Sequence, residues 1–387
     1  KLKDMPIDRL YLSIDRQEYS VNWNERKDKR NIIITSIASA DNKTGYIFGM
    51  NPNFDGNIDI EAIEEDALNL NESSKTVPFR KYARLWLKQD YIESANRKKY
   101  RKSNKPAQDL KQEIANTYDS VVARPDVEAF DEKTNEQKLP NYGAQVKAEY
   151  TMIAHFHLLK KMMKNVGKWR FMLDQDSGIR GSCFSVFQKE ISEHTADAFY
   201  VAIEKNLTVD AKRKLKAIAQ VEFNKIKNEN PKLSDNEVKI EMLKMEIQAK
   251  VEIGEWKDKW IKHPFPTMSE PNKAMCWLTE YDSDEMDLTH KAWLYNKASM
   301  HGVDSFFQKV RRRIAMLERP IESASTGRTY NGYGAYNPSM IVKLLEIFRV
   351  VHNYIDTKKE NGVVTTPAMR LGLANAPLTY KAVLYNE

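Results

Sequence analysis

With 387 residues the chain exceeds one ordinary core and should fold as roughly two or three units. Apolar residues at 41% and charged residues at 30% describe a globular chain rather than a disordered one, and no apolar run approaches the ~20 residues that span a bilayer, so no membrane partner is expected. A net charge of +7 and a pI near 9.0 fit a polyanionic partner, although the placement of the charge says more than its sum.

The cysteines, Cys183 and Cys276, lack a CxxC or His-rich companion, which argues against a disulfide framework or a zinc site and fits a reducing cytoplasm. No charged-then-apolar leader follows Lys1, so a secretory signal is not expected and the chain reads as cut from a longer protein. Neither GxGxxG nor a Walker loop occurs, leaving nucleotide hydrolysis without support.

Residues 9–15 alternate Leu10, Leu12 and Ile14 on one side, the period of a strand that ends on Asp15. Strand-like runs at 32–37 and 44–50 follow, joined through the turn-forming Asp41-Asn42-Lys43. From about 57 to 140 the chain is polar and charge-dense with no sustained apolar period, and is read as helical pieces and surface loop. Tyr150, Ile153, Ala154, Leu158 and Met162 recur at helical spacing, so a buried helix is expected over 146–163, with Gly167 as its stop. Residues 169–174 form a short apolar strand that again ends on a carboxylate, Asp174, and 198–203 is a further strand. The stretch 207–262 is rich in Lys, Glu, Ala, Met and Ile, and Ser234-Asp235-Asn236-Glu237 is a capping box, which marks a helical insert. A strand at 274–279, an amphipathic helix from Val303 to Glu318 stopped near Pro320, and a helix at 339–354 complete the reading. The units expected are residues 1–206, a helical insertion at 207–272 and a closing part at 273–387.

Cleavage and rejoining of phosphodiesters draws on two divalent cations, and hard cations demand converging oxygen ligands. Asp15 and Asp174 end strands, where a lone Asp is more often a turn residue than a ligand, and Glu318 lies on the later helix, where alone it is equally a salt-bridged surface residue. The surrounding text adds a resemblance. Arg311-Arg312-Arg313-Ile314-Ala315-Met316-Leu317-Glu318-Arg319-Pro320, then Tyr336-Asn337-Pro338, Ile347 to Tyr354 around Asn353, and Thr366-Pro367-Ala368 resemble the third-acid region of bacterial insertion-sequence DDE transposases. Leu173 to Arg180 is similar to the second-acid segment of Mutator-like and related transposases, and Leu12-Ser13-Ile14-Asp15 to the first. The resemblance is strongest over 303–377, and the long interval between Asp174 and Glu318 departs from a compact integrase, fitting instead a helical insertion.

That resemblance implies an α/β fold of RNase H-like kind, a mixed sheet flanked by helices with a helical insertion domain. It implies catalytic, metal-holding Asp15, Asp174 and Glu318 with two Mg²⁺ or Mn²⁺ ions, and a transposase that cuts transposon ends and joins them to target DNA. Asp176 and Asp304 stay open as rivals to Asp174 and Glu318. Candidate DNA contacts are Lys309, Arg311, Arg312, Arg313 and Arg319 around the third-acid helix, Arg328 and Tyr330 in a Tyr/Gly/Asn loop suited to stacking on unpaired bases, and a second basic cluster at Arg97, Lys98, Lys99, Arg101 and Lys102. His155 and His157 are two apart on a helix, face apart, and read as structural. A homo-oligomer on DNA, in the bacterial cytoplasm at the nucleoid, is expected. The competing readings are an inactive DNA-binding relative and a structure-selective nuclease of the same fold.

Overall fold

The computed structural model describes residues 2–23, 25–96, 107, 109–123, 133–204, 206–281, 287–322 and 329–385. Three strands come first: β1 (Ile7–Val21), β2 (Ile32–Asp41) and β3 (Ile47–Pro52). Helices α1 (Ile60–Asn69), α2 (Lys88–Asn96), α3 (Leu110–Val122) and α4 (Ala148–Met162) lead to β4 (Val166–Asp174). Then follow α5 (Ser177–Val186), α6 (Gln188–Ser192), β5 (Ala196–Ile203), α7 (Val209–Glu229) and α8 (Asp235–Gln248). Strands β6 (Val251–Ile253), β7 (Asp258–Lys262) and β8 (Lys273–Trp277) precede α9 (Leu288–Lys297), α10 (His301–Arg313) and α11 (Pro338–Tyr354).

The strands form one eight-stranded mixed sheet in the order β3-β2-β1-β4-β5-β8-β7-β6. Its first three strands are antiparallel, β4 and β5 run parallel to β1, and β8, β7 and β6 return antiparallel. Helices cover both faces, so the central strands are buried on both sides and read as nearly continuous apolar runs. On one face Leu10, Leu12 and Ile14 of β1 pack with Ile114 and Tyr118 of α3 and Met152, Phe156 and Leu159 of α4. On the other, Met172, Phe199 and Val201 belong to the core that takes in Val303, Phe306 and Val310 of α10 and Ile341 and Leu345 of α11. Among the described residues no helix is long and apolar enough to cross a membrane.

Several expected boundaries move for physical reasons. β1 does not end on Asp15 but runs on to Val21, because β2 continues to pair with it as far as Val21↔Ile32. The polar stretch after β3 hides an apolar stripe, Leu110, Ile114 and Tyr118, spaced four apart on α3. Gly167 lies within β4 rather than stopping α4, which ends at Met162. The capping box at Ser234 and Glu237 opens α8 as expected, yet 207–272 is not all helix, because β6 and β7 turn back to extend the sheet beyond β8. The helix expected over 303–318 ends at Arg313; a 3-10 turn at Ala315–Leu317 buries Leu317, and Glu318 is extended ahead of Pro320.

The C-terminal segments clamp the β2–β3 turn. Asp41 accepts from the Thr44 amide and hydroxyl at 2.9 and 2.6 Å. Fully buried Asn353 accepts from the Ile47 amide and donates to the Ile47 carbonyl, both at 2.9 Å, occupying the outer edge of β3. His352 Nε2 donates to the Gly45 carbonyl at 3.0 Å, and Arg370, beyond the Thr366 helix cap, donates to the Thr44 carbonyl at 2.9 Å. Asn353→Ala leaves two buried backbone groups without this partner and should cost about 2–4 kcal/mol. Urea unfolding checks this: a clearly lower midpoint is expected, and an unchanged one rejects the clamp.

Candidate active-site cleft

The parallel ladder between β1 and β4 starts at Ile7↔Val166 and closes at Ile14↔Leu173. The next residues, Asp15 and Asp174, therefore stand side by side. β4 stops there while β1 continues, so β1 loses a neighbour on one edge, and a cleft of about 1210 Å³ opens where the two carboxylates lie. Asp304 of α10 lines the same cleft.

The placement of Asp304 follows from how α10 docks. Residues 13 and 15 of a strand share a face, and the Ser13 hydroxyl accepts from the Val303 amide at 3.0 Å. Gly302 makes that approach possible, since a Cβ there would meet Ser13 Oγ at 2.8 Å and Asn42 Oδ1 at 2.7 Å. Asn42 holds the same turn, accepting from the Gly302 amide at 3.2 Å and donating to the Ser299 carbonyl at 2.7 Å. The first turn of α10 is thus pinned over the Asp15 face of β1.

Asp176 has a different task from Asp174. One of its oxygens caps α5, accepting from the Gly178 and Ile179 amides at 2.8 and 3.1 Å, and the other accepts from Arg16 Nε at 2.7 Å. Both oxygens are thereby engaged in holding a helix start and a guanidinium beside Asp15, whereas Asp174 sits at the strand end.

The faces of α10 sort the basic candidates. Asp304, Phe307, Gln308 and Arg311 line the cleft at helical spacing, joined from the following loop by Arg319. Lys309 points instead to His352 of α11, with Nζ 3.3 Å from Nδ1, and its pKa falls through burial. Arg313 pairs with Asp356. Arg312 and Glu318 are exposed and do not line the cleft. Arg311 is pushed down by burial and by the like charge of Arg319, against the opposing pull of Tyr19, Asp304 and Asp15. With its oxygen facing Arg311, the Gln17 carboxamide accepts from Nη1 at 2.9 Å and donates to the Tyr19 hydroxyl at 2.9 Å. Burial raises the Tyr19 hydroxyl well beyond its usual range, keeping it neutral.

Tyr330 does not line the cleft; its hydroxyl lies 2.7 Å from that of Tyr336 and its ring 5.0 Å from Trp23. Arg328 and the cluster at 97–102 lie outside the described residues. Buried His155 sits 2.6 Å from Asn51 Oδ1, and burial lowers its pKa to about 3, in keeping with a structural role. The sequence reading missed Arg16, Gln17 and the α3 wall with Glu113 and Thr117, all on the cleft. The signal for α3 was its Leu110/Ile114/Tyr118 spacing; Arg16 had only its position beside Asp15.

Asp15, Asp174 and Asp304 are oxygen donors lining one cleft, the donor type that hard divalent cations take. As placed, no group of three His, Cys, Asp or Glu side chains among the described residues could hold a metal ion.

No protein-family model matches the chain, and no curated protein matches it. Among solved structures the chain is similar to the piggyBac transposase in a synaptic complex with hairpin DNA, with a TM-score of 0.29 and 8% identity, over 89% of this chain and 45% of that one. The chain thus spans under half the length of that transposase, and a likeness of this degree carries no functional weight.

Proposed function

We propose that the chain is the catalytic part of a metal-dependent DNA transposase of RNase H-like fold. The observation that carries this reading is the placement of Asp15 and Asp174 one residue past the last rung of the β1–β4 ladder, in a cleft that Asp304 also lines. The strand pattern supports it: three antiparallel strands are followed by two parallel to the first, with carboxylates on the first and fourth as an RNase H-like sheet would carry them, before three further antiparallel strands extend the sheet. The sequence resemblance around Asp15, Asp174 and residues 303–377 adds independent support.

In this reading Asp15 and Asp174 would hold divalent ions from the sheet and Asp304 would hold them from α10. Asp304 takes the part first given to Glu318 because Asp304 lines the cleft and Glu318 does not. Mg²⁺ or Mn²⁺, when bound, would supply Lewis-acid chemistry, lowering the cost of deprotonating the attacking hydroxyl and of charge on the leaving oxygen. Arg311 and Arg319 hold phosphates of the DNA strand along the same wall. Asp176 aims Arg16 and steadies the start of α5, acting through position rather than as an ion ligand.

Single Asn variants at Asp15, Asp174 and Asp304 should each abolish Mg²⁺-dependent cleavage of a DNA duplex while melting like the parent, and Glu318→Gln should keep it. Asp176→Ala should instead lower stability by about 1–2 kcal/mol, the usual loss of an N-cap. Retained cleavage in Asp304→Asn together with loss in Glu318→Gln would return the third site to Glu318. Supplying a pre-cut end with a free 3′-hydroxyl separates joining from cutting alone, and cutting without joining marks a nuclease.

The sorting of α10 faces gives a second expectation. Arg311→Gln with Arg319→Gln should flatten the salt dependence of DNA binding by about one log–log unit per lost phosphate contact. Arg313→Gln, whose parent side chain pairs with Asp356, should leave the slope alone. Equal slopes in both variants would contradict the assignment.

A further inference from the structure

Beside the carboxylate cleft lies a second hollow of about 300 Å³, which shares Thr117, Val121, Gln175 and Ser177 with it as a common wall. Its other walls are aromatic: Tyr118 of α3, Phe184 of α5, Tyr200 of β5 and Trp256 of the β6–β7 turn. The floor is rigid. Asp258 accepts from the Tyr118 hydroxyl at 2.6 Å and pairs with Arg180 Nη1 at 3.0 Å, and the Arg180 guanidinium lies over the Phe184 and Tyr200 rings at 5.5 and 5.8 Å.

Trp256 is 50% exposed, an unusual position for so large an apolar ring. Its turn is pressed onto Tyr118: Gly254 has φ +79°, and a Cβ there would meet Tyr118 at 2.6 Å. The Trp256 and Tyr118 rings stand 5.8 Å apart and tilted, one wall facing the floor. At Gly181 of α5 a Cβ would meet nothing within 4 Å, so the helix leaves the hollow unfilled.

We propose that this hollow receives one unpaired nucleobase from the DNA strand lying in the carboxylate cleft, an inference that rests on the DNA reading above. The ligand is flat and neutral, because the walls are ring faces and the charge of Arg180 is already matched by Asp258. It arrives by way of the cleft, because the two spaces share a wall; on that wall Gln175 Nε2 donates to the Ile114 carbonyl and the Thr117 hydroxyl to the Glu113 carbonyl, which leaves the Gln175 Oε1 and Thr117 Oγ1 lone pairs to accept from a base edge. Trp256 covers the base from the open side, and Gln175 on the shared wall is the residue next to Asp174 of the cleft.

The test uses the full chain without divalent ions and two probes: a fluorescein-labelled blunt duplex, and single-stranded oligothymidylate carrying one 2-aminopurine. Anisotropy reports binding, and 2-aminopurine emission reports stacking on a ring. In the parent protein both probes bind and the 2-aminopurine is quenched. Trp256→Ala should relieve the quenching and weaken single-strand binding about tenfold, the scale of one lost stacked base, with duplex affinity unchanged. Trp256→Phe should restore both. Gly181→Leu fills the hollow without removing a ring, and replacing a helical glycine does not threaten α5; it should act like Trp256→Ala. Duplex binding with equal quenching in the parent, Trp256→Ala and Gly181→Leu overturns the base pocket and leaves the DNA reading standing. Failure of the parent to bind either probe overturns both.

Discussion

The site depends on where one parallel ladder stops. β1 and β4 pair rung by rung until Ile14 and Leu173, then β4 ends and β1 goes on. Two adjacent strand residues at that point must emerge together, and both are aspartates. In a sheet whose interior is Leu, Ile, Phe and Met, carboxylates set side by side repel each other and resist desolvation, so they need positive charge nearby. Arg16, held by Asp176, and Arg311 both line the cleft and supply it.

Everything that fixes Asp304 works through the same strand. The Ser13 hydroxyl holds the Val303 amide, Gly302 permits the approach, and Asn42 ties the preceding residues to the β2–β3 turn. That turn is in turn gripped by His352, Asn353 and Arg370 from the C-terminal third of the chain. The segments that carry the family resemblance therefore act here as scaffold. They hold the turn that holds α10, and α10 carries Asp304 into the cleft.

Much of this was legible in the sequence where a local pattern matched a local structure. The strands with alternating or continuous apolar residues, the buried helix α4, the capping box of α8 and the Asn337-Pro338 start of α11 all announce themselves within a few residues. Asp15 and Asp174 were singled out by the resemblance rather than by local pattern, and β1 runs past Asp15 to Val21. Asp304 and Glu318 could not be separated, because that choice depends on where α10 ends and which side faces β1. A helix that can run to Pro320 by its periodicity stops seven residues earlier, in exchange for burying Leu317. β6 and β7 were hidden because a two-strand return to a distant sheet edge leaves only short, mixed runs. The aromatic hollow joins residues from α3, α5, β5 and a hairpin turn, and no window of sequence contains it.

Whether Asp15, Asp174 and Asp304 form one ion-binding site is tested by anomalous diffraction from crystals soaked in Mn²⁺. Anomalous density is expected within ligand distance of all three carboxylates, lost in Asp15→Asn crystals. Density at Glu318 with none between Asp15 and Asp174 would contradict it.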